Sequence, residues 1–166
     1  MNAPLKSHSN ATLALAFVIS IAICFSAAAI GGWATAGSVT SDWFVELSKP
    51  SWNPPNWLFG PVWSVLYFMM SVAAWLVWKK SGLKNAKLEL GWFGAHLLLN
   101  VAWSVLFFGM QAPGWAAIEI IILWVSIAMT IVLFFRHSKL AAYLLTPYLA
   151  WVSFATFLNL TIWSLN

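Results

Sequence analysis

Apolar residues run nearly unbroken through five stretches of this chain, 12–33, 55–78, 88–108, 115–135 and 141–163, parted by short polar connections. Each stretch is long enough to cross a hydrocarbon core, which takes roughly 20 residues as a helix. The pattern predicts an all-α integral membrane protein, a five-transmembrane-helix bundle forming one domain over 1–166. Because the connections are short, consecutive helices are expected to be antiparallel neighbours. The first stretch follows a polar head with Lys6 and His8 and ends near Ala27-Ala28-Ala29, which also has the look of a signal-peptidase site. Its length favours a retained span, since the apolar region of a signal peptide is about half as long. The longest connection, 34–54, alternates Asp42, Glu46 and Lys49 with Trp43, Phe44 and Leu47. That spacing predicts a short amphipathic helix lying on the bundle as a lid.

Between Lys49 and Trp63 the sequence crowds Pro50, Pro54, Pro55 and Pro61 among Trp52, Trp57 and Trp63. Proline fixes φ and removes a backbone donor, so no regular helix is expected before about Asn56, and a first turn is expected just after it. Pro61 is read as lying inside the helix, with Gly60 beside it allowing close approach of a backbone or a flat ligand. Tryptophans here suit a membrane-interface belt, but their clustering also suits the mouth of a pocket.

Composition changes the picture little. With 62% hydrophobic and 7% charged residues the chain is no soluble domain, and a formal charge of +4 held in short loops gives no support for nucleic-acid binding. Lys6, Lys79, Lys80, Lys84, Lys87, Arg136 and Lys139 fall on one side of the predicted bundle, and Lys49 alone on the other. In a bacterial cell membrane the positive-inside rule then puts the N-terminus in the cytoplasm and the proline-rich loop outside; an outer or organellar membrane stays open. The single cysteine, Cys24, permits no internal disulfide and is read as a small packed hydrophobe.

Polar residues inside the spans tend to face the bundle interior. Helical spacing puts Gly60, Trp63, Ser64, Tyr67 and Ser71 on one face of the second span. It groups His96, Asn100, Ser104 and Phe107 in the third, with Trp103 adjoining, and Tyr148, Trp151, Ala155 and Asn159 in the fifth. Two readings are open: interhelical hydrogen bonds and small-residue packing, or an aromatic face shared by three helices around a flat apolar ligand. Glu119 is read first as an acid near a helix start, and His96 as a buried hydrogen-bonding residue rather than a metal ligand. No Ser/His/Asp arrangement, Cys/His metal spacing or phosphate loop is apparent, so hydrolytic and metalloenzyme classes lack support.

The run Lys49-Pro50-x-Trp52-x-Pro54-Pro55-x-Trp57 is followed by Gly60-Pro61-Val62-Trp63-x-x-Leu66-Tyr67 and by Leu99-Asn100-x-Ala102-Trp103 leading to Phe107-Phe108-Gly109. Gly114-Trp115-Ala116, Pro147-Tyr148-Leu149-Ala150-Trp151 and Leu158-Asn159 complete the series. In this order, and over nearly the whole chain, they resemble the translocator protein (TspO/MBR) family, also called tryptophan-rich sensory proteins or peripheral-type benzodiazepine receptors.

The resemblance implies a five-helix bundle, usually a homodimer in the lipid bilayer, that needs no cofactor and binds porphyrins such as protoporphyrin IX and haem as ligands. It implies a pocket lined by Trp52, Pro54, Trp57, Trp63, Asn100, Trp103, Trp115, Ala150 and Trp151, with 34–54 as lid and no metal site. It further implies a role in porphyrin transport or stress sensing. The alternatives are an enzyme that degrades porphyrin in light and oxygen, through Trp63 and Trp151, and a scaffold that senses ligand. Two departures stand out. The animal cholesterol motif wants a tyrosine followed by a basic residue, and 158–166 holds neither; His96 stands where the family commonly has glutamine.

Overall fold

The computed structural model describes residues 9–166, so Lys6 and His8 lie outside the described residues. The described residues form six α-helices: α1 (Asn10–Ala36), α2 (Asp42–Glu46), α3 (Phe59–Asn85), α4 (Lys87–Ser104), α5 (Pro113–Phe135) and α6 (Lys139–Leu165). A 3-10 turn, Asn56–Leu58, leads into α3, and a π turn, Val105–Gly109, prolongs α4. All but α2 are long and apolar enough to cross a membrane.

The helix starts follow from local chemistry. Ser9, Ser41 and Ser138 cap α1, α2 and α6, each side-chain oxygen accepting from the N–H three residues on. Pro113 opens α5, where its missing N–H is one that a helix start leaves unpaired anyway. The same holds for Pro61, which falls in the first turn of α3 and not in its interior as its position in the sequence led us to expect. Pro147 is truly interior, in α6. It deprives the Tyr143 carbonyl of its helical partner, and the Thr146 hydroxyl donates to that oxygen instead, at 2.8 Å.

Contacts close the spanning helices into a ring, α1 to α3 to α6 to α5 to α4 and back to α1, with α3 also touching α4. The buried core fills the bundle interior, around Met70 and Val77 of α3, Ile120 and Ile127 of α5, and Leu145 and Val152 of α6. Small residues such as Ala73, Ala141 and Ala142 are fully buried and let backbones approach. That matters because lipid is as apolar as a side chain, so close packing must supply the attraction between helices. Cys24 is buried in this core. α1 is the loosest wall, with only Cys24 and Gly31 buried. A side chain at Gly31 would meet Ser104 Oγ at 3.2 Å, so α1 crosses α4 closely there.

The α3–α4 and α5–α6 turns meet at the end of the bundle away from the lid. His137 donates from Nε2 to Glu89 Oε1 at 3.0 Å and lies 2.6 Å from Ser81 Oγ through Nδ1. The sequence showed no serine, histidine and acid at catalytic spacing, yet the fold assembles such a row from three helix ends. Ser81 sits near the end of α3, so this row ties three helix ends together.

Candidate functional site

A cavity of about 520 Å³ opens between α1, α3, α4 and α6 under the 34–54 connection. On α3, Phe59, Gly60, Trp63, Ser64 and Tyr67 follow one helical stripe into it. α4 contributes Asn100, Trp103 and Ser104, and α6 contributes Trp151, Phe154, Ala155 and Asn159 among others. The π turn adds an extra residue to the end of α4, seen in the Met110 N–H donating to Val105 O at 2.7 Å, and both Phe107 and Phe108 reach the cavity wall.

Two amide side chains lock the wall. Tyr67 donates its hydroxyl to Asn100 Oδ1, and Asn100 Nδ2 donates to the Tyr148 hydroxyl at 2.9 Å. Asn159 Oδ1 accepts from the Trp103 indole N–H at 2.9 Å, and its Nδ2 donates to Pro113 O at 2.8 Å. The two asparagines thus join α3, α4, α5 and α6, and their donors are turned into protein. Thr35 and Ser64, also on the wall, donate to the carbonyls of Gly31 and Gly60 at 2.8 and 2.9 Å. What faces the space is mostly aromatic and aliphatic surface with a few polar groups, Ser104, Asn53 and Asn56 among them, and no Lys, Arg, Asp or Glu among the described residues lines it.

The lid is fastened at several points. Ser38 Oγ donates to Phe108 O at 2.8 Å, and Phe44 packs on Phe108 with ring centroids 5.8 Å apart. Trp52 meets Phe154 edge-on at 5.9 Å. Ser48 N–H donates to Asn166 Oδ1 at 3.0 Å, and Asn166 Nδ2 returns a bond to Ser48 O at 3.1 Å. Lys49 is folded back on the lid: its amine donates to Phe44 O and Leu47 O and lies 4.3 Å from the Phe44 ring centroid. Burial there pushes its pKa below the ordinary lysine value.

The TspO/MBR family model matches residues 20–164. The chain belongs to that family. Among its relatives, the tryptophan-rich protein TspO of Chlorobaculum tepidum is 44% identical over 156 residues, covering 90% of this chain and 97% of the relative. The human translocator protein is 44% identical over 126 residues, 75% of each chain. The tryptophan-rich sensory protein of Cereibacter sphaeroides is 38% identical over 141 residues, 84% of this chain and 87% of the relative. With five apolar helices in such a family, the protein is a multi-pass integral membrane protein.

Of the nine positions that family resemblance singled out, Trp63, Asn100, Trp103 and Trp151 line the cavity of this TspO/MBR chain. Trp52 stands on the lid beside it, against Phe154. Pro54 is one step removed, its carbonyl accepting from Asn53 Nδ2 at 3.0 Å, and Asn53 is on the wall. Three placements need correcting. Trp57 is 71% exposed, because the 3-10 turn before α3 swings it outward. Trp115 is 69% exposed and borders a second, shallower groove with Trp43, Pro113 and Trp163, since α5 contributes nothing to the cavity wall. Ala150 points to the outer face of α6: it is one residue, and so about 100° of helix, away from Trp151.

Sequence reasoning missed α1. Phe25, Gly31, Gly32 and Thr35 form a wall, and the Gly31-Gly32 pair with Thr35 in an otherwise apolar span was the available signal. His96 lies outside the cavity, fully buried, with Nδ1 3.2 Å from Thr130 Oγ1. The Thr130 hydroxyl already donates to Ser126 O, so His96 Nδ1 carries the proton, and Nε2 has no partner among the described residues. Glu119 is nearly two turns into α5 and buried, with no partner among the described residues for either oxygen, so the solvated helix start expected for it is not where it sits.

Proposed function

We propose that this protein is a membrane receptor or carrier for tetrapyrroles, with protoporphyrin IX or haem as ligand. The observation that carries the reading is the cavity wall: Trp63, Trp103 and Trp151 come from three helices to surround about 520 Å³, with no charged side chain among the described residues lining it. A flat macrocycle gains dispersion and stacking against such a wall, on the order of 1 kcal/mol per aromatic contact beyond burial. Its carboxylates find no cation inside and are expected at the lid side, where Asn53 and exposed Asn56 border the space. Haem would be held by its faces, since His96 is not on the wall. We place the protein in a bacterial cell membrane with the lysine-rich end in the cytoplasm.

Titration of the purified protein with protoporphyrin IX in the dark tests this. Saturable quenching of tryptophan fluorescence is expected, and a Trp63→Phe/Trp151→Phe double variant should bind at least several-fold more weakly. Unchanged affinity in the double variant would remove the ligand from this cavity. The enzymatic reading has one observation in its favour, that Trp63 and Trp151 both line the same space, next to any light-absorbing guest. Illumination of the complex in air decides it: a new bilin-like absorbance supports degradation, and a stable porphyrin spectrum leaves binding alone.

A further inference from the structure

Six of the chain's eight Lys and Arg residues, Lys79, Lys80, Lys84, Lys87, Arg136 and Lys139, stand at the end of the bundle away from the lid, and all six are exposed. Glu89 is the one acid there among the described residues, and it is turned inward: its side chain is 12% exposed and accepts from His137. At the lid end the balance is reversed, with Asp42 and Glu46 exposed and Lys49 held by lid carbonyls. One end of the molecule thus presents positive charge with no exposed counter-charge.

This basic end is built into the fold. Gly82 takes φ 68°, a left-handed conformation that glycine adopts without penalty, and there the chain breaks out of α3 to carry Lys84 and Lys87 round into α4. His137 then binds that turn to the α5–α6 turn through Ser81 and Glu89. The Lys79 amine lies 4.8 Å from the Trp75 ring centroid and that of Lys139 lies 5.9 Å from the Phe135 centroid. Both ammonium groups thus rest over aromatic faces at this end of the bundle, held there by cation–π attraction while their residues stay exposed.

We propose that this end is a docking surface for the headgroups of anionic phospholipids in the adjoining leaflet. The cations ring the ends of the spanning helices, so any membrane that embeds the bundle places phosphate groups at their level. Basic clusters at such positions attract anionic over zwitterionic lipid. Inward pairing with His137 turns the one acid at this end, among the described residues, away from the exposed surface.

The test uses the full chain reconstituted with phosphatidylcholine and phosphatidylglycerol in equal amounts, with the lipids retained on the extracted protein counted by native mass spectrometry. Several-fold enrichment of phosphatidylglycerol is expected, falling towards parity as salt rises, because exposed charges are screened. It should also fall towards parity in a Lys79→Gln/Lys80→Gln/Lys84→Gln/Arg136→Gln variant and persist in Asp42→Asn/Glu46→Gln at the opposite end. Equal retention of the two lipids by the unaltered protein overturns the proposal, as does enrichment that survives either salt or neutralisation. Should the quadruple variant fail to fold, Lys80→Gln and Arg136→Gln singly, with the salt series, read the same electrostatics.

Discussion

The two ends of the bundle use the same materials to opposite effect. Away from the lid, Phe93 stacks on Phe134 with centroids 5.7 Å apart, Ala141 and Leu145 are fully buried, and a histidine ties two turns together. At the lid end aromatic side chains cluster too, but Trp63, Trp103 and Trp151 stand around open space. Tyr67, Asn100 and Tyr148 form the seam between the halves, joined by hydrogen bonds across α3, α4 and α6. The difference teaches that a cavity in a small helical bundle rests on a tightly packed remainder. With no hydrophobic drive between helices in lipid, dispersion and a few polar bonds at one end must hold the other end open.

The sharpest way to break that comparison is Phe134→Ala. The side chain is fully buried and stacked, so its removal leaves a cavity and should cost about 3 kcal/mol or more, read as a large drop in unfolding midpoint. A drop no greater than that of an outer-face change such as Ile122→Ala would show that the far end does not carry the stability. Asn100→Leu tests the seam. It leaves both tyrosine hydroxyls without their partner, and at about 0.6 to 2 kcal/mol for each bond across helices the loss should be visible in thermal melts. Porphyrin affinity should fall with it, because Trp63 packs on Tyr67 and Tyr148.

At the open end the expected effects are smaller. Trp63→Phe or Trp151→Phe alone should weaken porphyrin binding several-fold, in line with roughly 1 kcal/mol per contact, and leave the melting temperature nearly unchanged. A large fall in stability would mean that these rings support the bundle and do not merely border a space. The smallest effect belongs to Ala150→Phe. Family position suggested a tight helix contact, but the residue is exposed on α6, so the ring should change stability by no more than about 0.5 kcal/mol. Matching behaviour of Ala150→Phe and Ile122→Phe, in melts and in ligand titrations, is the expected outcome; a selective loss of binding in the former would place that face against the ligand after all.

Much of this molecule was legible in the sequence. Run lengths gave the five spans, and alternation of Asp42, Glu46 and Lys49 with Trp43, Phe44 and Leu47 announced α2. Prolines located the start of α3, and the order of tryptophan-bearing motifs pointed to the family that the whole-chain comparison shows. Asn100, Trp103, Trp63 and Trp151 were named for the wall they line. The tertiary structure decided which way everything else faces. It brought α1 into the cavity wall, turned Trp57, Trp115 and Ala150 outward, set both Phe107 and Phe108 inward through a π turn, and joined Ser81, Glu89 and His137 from three separate helix ends. The reason lies in the solvent. In water a helix announces its buried face by polarity, but a span that meets lipid on one side and protein on the other is apolar all round. Only shape and the pairing of a few polar groups then fix its rotation, and those are properties of neighbours that a single strand of sequence does not contain.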